Sequence, residues 1–222
     1  MNVLVFDTCF AACSVAVQRG DAMSSRWEPM AQGHAERLIP MIAETMVEAG
    51  LSFDNLDRIG VTVGPGSFSG TRIGVAAARA FALSHQIALV GLSPLALMAR
   101  QAAELEGAGR PILVAVDVRR GEVYAQLFDE HGLAAATPPQ LLSVEEAAET
   151  ARTSGAIVVG GGAAGIAAIA QGCKSALPDL QPDAQYAVTL VSSSAATTAS
   201  AAPLYLRPPD AKPSATAAPQ RL

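Results

Sequence analysis

Lysine is nearly missing from this chain. Lys174 and Lys212 are the only two in 222 residues, so any mechanism that needs a lysine before Lys174 is excluded. Cysteine is scarce as well: Cys9, Cys13 and Cys173 are odd in number and match no C-x-x-C metal or redox spacing. They read as small buried apolar residues of a reducing compartment. No basic patch is present. The 15 bases against 20 acids give a net charge of -5, and the bases are scattered, which argues against direct, strong binding of DNA or RNA. No apolar run is long enough to cross a bilayer, and the opening "MNVLVFDTCF" lacks a basic stretch followed by a long apolar core. A cytoplasmic protein, neither secreted nor membrane-spanning, is expected. His34, His85 and His131 lie far apart and form no H-x-x-x-H or H-E-x-x-H pair, so no metal site is expected; His34 and His85, at a helix start and a helix end, read as capping or surface residues.

Apolar residues make up 50% of the chain, enough to build a sizeable core in two modest domains or one large one. The segments "VLVFD", "CSVAVQ" and "AMSSRW" predict three short strands, with "RGD" as the tight turn between the last two. "GHAERLIPMIAETMVEAG" places Leu38, Ile39, Ile42, Met46 and Ala49 at helical spacing and stops at Gly50. Pro40 is tolerated only near a first turn, so this helix is predicted to start around Glu36 or later. "RIGVTVG" reads as a buried strand running into a glycine loop, "TRIGVAAARAFALSH" as a helix, "IALVGLS" as a strand and "PLALMARQAAEL" as another helix. On the first of these helices Gly74 with Ala78, and Ala76 with Ala80, are small residues four apart that let another helix approach closely. After a boundary near "EGAGRP", a second hairpin around "RRGE", a loop and short helix over "TPPQLLSVEEAAETARTSG", then a strand, a glycine turn and a helix over "AIVVGGGAAGIAAIAQG" repeat the earlier order. Two related α/β units facing each other are predicted. The end is low-complexity Ala/Ser/Thr/Pro apart from "LYLR", and disorder is expected after Asp210.

The glycine stretch "GVTVGPGSFSGTRIG" has the look of a phosphate cradle. A nucleotide P-loop needs G-x-x-x-x-G-K-[ST], but Gly64 and Gly70 are spaced one residue too far apart and Thr71 stands where the lysine belongs. A nucleophile elbow needs a serine at the centre of G-x-S-x-G, and "GSFSG" has Phe68 there. The second turn, Gly160, Gly161 and Gly162 through Gly165, matches G-x-G-x-x-G, yet a dinucleotide site also wants an acid ending the next strand, and Asp179 and Asp183 precede "QYAVTLVS" instead. Two readings remain for both turns. Their glycines allow a tight strand-to-helix connection, or their free backbone N–H groups and helix N-termini hold an anion or nucleotide. In the second reading Asp7 and Thr8, ending the first strand, would join Gly64, Gly66, Ser67, Ser69 and Gly70, with Asp117 and Gly160 to Gly162 facing them from the second half; an acid at the carboxyl end of a buried strand can position a nucleotide-bound cation or water.

Four segments, "VFDTCFAACSVAV", "GPGSFSGTRIG", "VDVRRGEVYAQLF" and "PLYLRPPDA", resemble the bacterial TsaB (YeaZ) family in the same order over residues 3 to 211. The glycine loop with its following arginine and the "YLR" ending carry most of the likeness; Ser69 and Thr71 depart from the Thr and Leu usual there. The resemblance implies an α/β fold of the actin-like, Hsp70-like and sugar-kinase-like (ASKHA) class, two related α/β domains around a cleft. It divides the chain into 1–106, 107–191, a segment 192–210 packing back on the first domain, and a tail 211–222. It implies a non-catalytic paralogue of TsaD that pairs with a TsaD homologue and the ATPase TsaE in forming threonylcarbamoyladenosine at tRNA position 37, touches tRNA only through the assembled complex, and forms a homodimer when alone. The partner face would comprise His34, Leu38, Ile42, Met46, Arg72, Ile73, Ala76, Ala77, Ala80 and Phe81. The chain would need no cofactor of its own, with ATP or ADP at the junction with TsaD. TsaD-type chains carry a metal-binding histidine pair after the strand closing the first unit, whereas "ALVGLSPLALMA" has neither histidine nor carboxylate there, which also argues against a glycoprotease activity. The alternative is an independent ATPase or phosphotransferase of the actin-like fold that uses Asp7, the two glycine turns and Asp117.

Overall fold

The computed structural model describes residues 1–107, 109–194 and 201–207; the expected tail 211–222 lies outside the described residues. The first unit runs β1 (Asn2–Asp7), β2 (Ala12–Arg19), β3 (Ala22–Pro29), α1 (His34–Ala49), β4 (Arg58–Thr62), α2 (Phe68–His85), β5 (Ala88–Leu92) and α3 (Pro94–Glu106). The second runs β6 (Ile112–Asp117), β7 (Glu122–Phe128), β8 (Gln140–Ser143), α4 (Val144–Ser154), β9 (Ile157–Val159), α5 (Ala163–Ile169) and β10 (Ser175–Ala176), followed by a 3₁₀ turn at Ala184–Ala187 and α6 (Val188–Ser193).

The first sheet has the order β3-β2-β1-β4-β5, and the second, read from its far edge, has β8-β7-β6-β9-β10. In both, the hairpin strands pair antiparallel while the later strands join the first in parallel. The duplication read from the sequence is therefore a duplication of topology, two α/β units with the same strand order. Side chains alternate across each sheet as the pleat requires. Leu4, Phe6, Ile59 and Val61 point to the layer shared with α1 and α2, and Val3, Val5, Ala16 and Val90 to the opposite layer.

That opposite layer is where the chain departs from a simple division at residue 106. α3, from the first stretch, sends Leu95, Met98, Ala99 and Ala102 into the core of the second sheet. In return Ala184, Ala187, Val188 and Val191, from the second stretch, cover the inner face of the first sheet. Sequence boundaries at 106 and 191 thus do not coincide with the packing boundaries. The segment "QYAVTLVS", read as the next strand after the second glycine turn, is a 3₁₀ turn and helix; burial of Val188 and Val191 against sheet 1 outweighs their strand preference.

α1 begins at His34, earlier than Pro40 suggested, and is launched by Gly33 at φ 93°. Proline removes one backbone donor, but both Pro40 and Glu36, whose carbonyl would receive it, lie on the solvent side, where water replaces the lost bond. Gly50, at φ 64°, ends the helix as expected, donating to the Met46 and Val47 carbonyls. The segment Ala201–Arg207 is also described, and Ala201 enters the first core while Leu206 packs against the second.

Candidate functional site

The glycine loop follows β4 and meets the turn between β1 and β2 face to face. An added Cβ at Gly70 would stand 2.0 Å from the Thr8 carbonyl oxygen, one at Gly66 2.6 Å from that of Cys9, and one at Gly74 2.7 Å from the Thr8 hydroxyl. These glycines permit contact between two stretches of the chain's own backbone. The polar groups are spent in the same contact: the Ser67 N–H donates to the Cys9 carbonyl at 2.7 Å, the Gly70 N–H to Ser67 Oγ at 3.0 Å, and Thr8 Oγ1 to the Gly70 carbonyl at 2.7 Å. Ser67 is the N-cap of α2, and the Thr71 N–H closes on its carbonyl at 3.0 Å. The N–H groups of Ser67 and Gly70, which the anion reading needs free, already have acceptors, as does that of Thr71. Gly64, at φ 100°, could not carry a Cβ either, because the Leu204 carbonyl would lie 2.5 Å from it. Ser69 stays exposed.

Asp7 is enclosed completely. Thr62 Oγ1 donates to its Oδ1 at 2.6 Å, the Cys9 N–H approaches both carboxyl oxygens at 3.3 Å, and Cys9 Sγ donates in turn to Thr62 Oγ1 at 3.2 Å. Burial pushes the Asp7 carboxyl up to about 7, the hydrogen bonds from Thr62 and Cys9 offsetting only part of the desolvation. Burial, with the carboxyl beside it, likewise raises the Cys9 thiol.

The second half is arranged differently. Asp117 is exposed at the end of β6 and accepts from the Arg119 N–H at 2.8 Å. The hairpin then passes through three consecutive left-handed residues, Arg119, Arg120 and Gly121, at φ 67°, 61° and 72°. In the glycine turn, Gly160 and Gly162 pack on the Ala115 carbonyl, which accepts the Gly162 N–H at 3.0 Å, whereas an added Cβ at Gly161 meets nothing closer than the Asp117 nitrogen at 3.8 Å. Asp117 and Gly160 to Gly162 therefore come together. Asp7 does not join them around a common cavity, because it is sealed.

The expected partner face needs correction by helical phase. Leu38, Ile42 and Met46 are buried in the first core, so they hold α1 to its own sheet. His34 is buried too, with Nε2 at 3.1 Å from the Phe10 carbonyl and 3.2 Å from that of Ala12. Shifted one residue along the helix, Ile39, Ala43 and Val47 form the outward stripe, and Val47 is 79% exposed. On α2, Arg72, Ala76 and Ala80 are exposed and Leu83 extends the stripe at 83% exposure, while Ile73, Ala77 and Phe81 are half-buried against the core between the helices. Gly74 and Ala78 face inward, so of the two small pairs only Ala76 with Ala80 is open to another helix. At the N-terminal ends of α1 and α2 a cavity of about 550 Å³ opens between His34, Phe10, Ser67, Phe68 and Ile73.

One contact was not legible in the sequence at all. Tyr205 lies with its ring 5.2 Å from that of Phe68, and Arg72 donates from Nε to the Tyr205 hydroxyl at 2.9 Å while its guanidinium sits 3.6 Å over the Phe68 ring. Among the described residues, no three His, Cys, Asp or Glu side chains cluster as a metal set, and no helix is long and apolar enough to cross a membrane.

Comparison with known proteins agrees with this geometry. The family model described as "TsaD: tRNA N6-adenosine threonylcarbamoyltransferase" matches residues 28–199. The Escherichia coli tRNA threonylcarbamoyladenosine biosynthesis protein TsaB is 36% identical over 135 residues, 60% of this chain and 58% of that protein. Matches to curated TsaB proteins thus span little more than half of their length, 52% for the Haemophilus influenzae protein. An uncharacterized protein of Mycobacterium tuberculosis is 33% identical over 217 residues, 96% of this chain and 94% of its own. Among solved structures, an uncharacterized Pseudomonas aeruginosa protein with similarity to peptidase YeaZ superposes with a TM-score of 0.80 at 27% identity, covering 93% of this chain and 99% of that one. YeaZ from Pseudomonas aeruginosa gives 0.77 at 28% identity, with 86% and 92% covered. By sequence and by fold, this chain belongs to the TsaB (YeaZ) family.

Proposed function

We propose that this chain is a non-catalytic subunit that pairs with a TsaD homologue, together with the ATPase TsaE, in threonylcarbamoyl transfer to N6 of adenosine 37 of tRNAs reading codons that begin with adenine. The names of its relatives supply the pathway. The observation that carries the subunit role is the uncovered apolar surface of α1 and α2, where Ile39, Val47 and Leu83 are 47%, 79% and 83% exposed. Apolar side chains at helical spacing on two neighbouring helices are costly to leave in water; covering three of them contributes roughly 1.5–3 kcal/mol each. A helical pair of the same kind on the TsaD homologue is the natural cover. A second copy of this chain uses the same face when the partner is absent, since a self-complementary patch closes on a twofold axis.

The residues of this chain do not fit a nucleotide cradle of their own. The Ser67, Gly70 and Thr71 N–H groups are engaged, Asp7 is sealed, and Lys174, the one lysine among the described residues, pairs with Glu106 at 3.2 Å. ATP or ADP is therefore assigned to the junction with the partner, and no chemical step is assigned to this chain. Its part is to hold the TsaD homologue in a competent shape through the helical face. With a net charge of -5 and scattered bases, it meets tRNA only within the assembly.

Reconstitution of the tRNA modification with the other components tests the reading: omitting this chain should abolish product, and restoring it should recover product. A purified sample that by itself binds ATP tightly and hydrolyses it would instead establish the independent phosphotransferase or ATPase.

A further inference from the structure

The segment Ala201–Arg207 crosses from one unit to the other. Leu204 donates its N–H to the Val63 carbonyl at 2.6 Å, Leu206 enters the second core, and Arg207 donates to the Val118 carbonyl at 3.0 Å and pairs with Glu122. Along this path Tyr205 reaches the first turn of α2. Its hydroxyl receives Arg72 Nε at 2.9 Å, its ring tilts against Phe68 at 5.2 Å, and Arg72 lies flat over Phe68. Phe68 and Tyr205 nevertheless remain 38% and 40% exposed.

On a helix of 3.6 residues per turn, Arg72 shares one outward arc with Ala76, Arg79, Ala80 and Leu83, so the stack stands at the N-terminal end of the apolar stripe. The cavity between the α1 and α2 N-termini opens beside it, with Phe68 as a shared wall. Neither Arg72 nor Arg79 has a carboxylate partner among the described residues, in contrast to Arg26 and Arg37 on the other flank of α1, which are paired with Glu28, Glu44 and Glu48.

We propose, resting on the subunit role above, that Phe68, Arg72 and Tyr205 form the anchor of the partner-binding face, and that the C-terminal segment is thus part of that face. The occupant is the TsaD-type chain, presenting an apolar helix with a carboxylate opposite Arg72 and a second acid toward Arg79. Aromatic residues and arginine dominate the energetics of protein interfaces when they are held in place and dried by their surroundings. Here Arg72 is already oriented by a ring below and a hydroxyl beside it, so little side-chain freedom is lost when a carboxylate arrives, and its terminal nitrogens remain to donate. Unpaired cations on an otherwise apolar stripe also select against acid-free surfaces, which gives the face a means of discrimination beyond hydrophobic fit.

The test is the affinity of the purified full-length chain for a TsaD homologue by calorimetry at low and high salt, with melting curves to confirm that each variant folds. Arg72→Ala and Tyr205→Ala should each weaken binding about tenfold or more, the double variant by less than the product of the two, and Arg72→Ala should reduce the salt dependence. Tyr205→Phe, which keeps the ring and loses the acceptor, should fall in between. Ala80→Trp separates the proposal from the reading beneath it, because it obstructs the stripe without touching the stack. If Ala80→Trp abolishes binding and Tyr205→Ala leaves it within twofold of wild type, the anchor is refuted while the subunit role stands. If neither variant weakens binding, both fall.

Discussion

Replacing Gly70 by alanine should destabilise this protein more than replacement of any open-turn glycine, and the size of the loss follows from the contacts. The new Cβ would lie 2.0 Å from the Thr8 carbonyl oxygen and 2.6 Å from Ser67 Oγ, and both neighbours are held, one in the backbone and one in a cap. Relief needs the β1–β2 turn and the start of α2 to move apart by about 1 Å. That separation breaks the 2.7 Å bond from Thr8 Oγ1 to the Gly70 carbonyl, a buried pair whose disruption costs about 1–3 kcal/mol. It also loosens the Ser67 cap, for about 1 kcal/mol, and leaves residual strain of about 1–3 kcal/mol. Alanine returns at most about 1 kcal/mol of helix propensity. The net is roughly 2–6 kcal/mol, which for a chain of this length lowers the melting temperature by roughly 10 °C. Thermal and urea unfolding of Gly70→Ala should be read against Gly161→Ala, where the nearest atom is at an ordinary 3.8 Å and the change should stay within about 1 kcal/mol. A Gly70→Ala protein melting within about 2 °C of wild type would refute the close-contact account of this loop and return it to the class of tight turns with room inside.

The buried carboxyl predicts a pH dependence of stability. Asp7 is raised from 3.8 to about 7, so the folded state holds its proton more tightly than the unfolded chain does; the stabilisation is complete below pH 3.8 and is lost as pH rises to about 7. In Asp7→Asn this contribution disappears, and urea unfolding should show the stability difference between variant and wild type shifting in favour of Asn by at most about 4 kcal/mol between pH 4 and 8. A difference that stays flat over that range would show that the carboxyl is not held in a dry site. The thiols give a chemical check: Cys9 and Cys13 are fully enclosed and raised by burial, while Cys173 is partly open. A thiol reagent at pH 8 should label Cys173 alone in the native protein and all three cysteines in denaturant, and mass-mapped labelling of native Cys9 would contradict the sealed cluster.

The strands and long helices were legible because each carries its own periodicity. β1, β2 and β4 alternate or run apolar, and α1 and α2 repeat at helical spacing. β8 and β10 were not seen, because four and two residues are too few to show a period and their place is set by pairing with β7 and β9. α6 misled for a related reason: "VTLV" favours a strand locally, and only the contact of Val188 and Val191 with the first sheet makes it a helix. At the site the glycines could be located, but not what fills the space beside them. Nothing in the spelling of "GSFSG" says that Thr8 and Cys9, some sixty positions earlier, press into it, or that Tyr205 arrives from the far end. The residues expected on the partner face of α1 lie one helical position away from its exposed side. The strongest apolar periodicity on an amphipathic helix marks the side packed on its own sheet, so Leu38, Ile42 and Met46 had to be core, and the weaker outward stripe, Ile39, Ala43 and Val47, was the one to examine.

The two halves share a topology, and their differences bear on the partner face proposed above. In the second half the helix occupying the place of α1 is α4, whose outward residues are Glu145, Glu146, Glu149, Arg152 and Thr153, with Arg152 paired to Glu149 at 2.6 Å. Such a face is content in water and gains little from being covered. In the first half the corresponding surface carries Ile39, Val47 and Leu83, continued by α2 with small residues that allow a close approach. The glycine loops differ in the same sense: the first is filled by Thr8 and Cys9 and launches α2, whereas the second leaves Gly161 open beside Asp117. A loop filled by the chain's own backbone has given up ligand space for a rigid start to α2. Rigidity at that point is what a docking helix needs, since ordering it only on association would subtract from affinity. Filling of the first loop and exposure of the α1 and α2 stripes are therefore two consequences of one arrangement, and loosening the loop, as by Gly70→Ala, should weaken partner binding even where the fold survives.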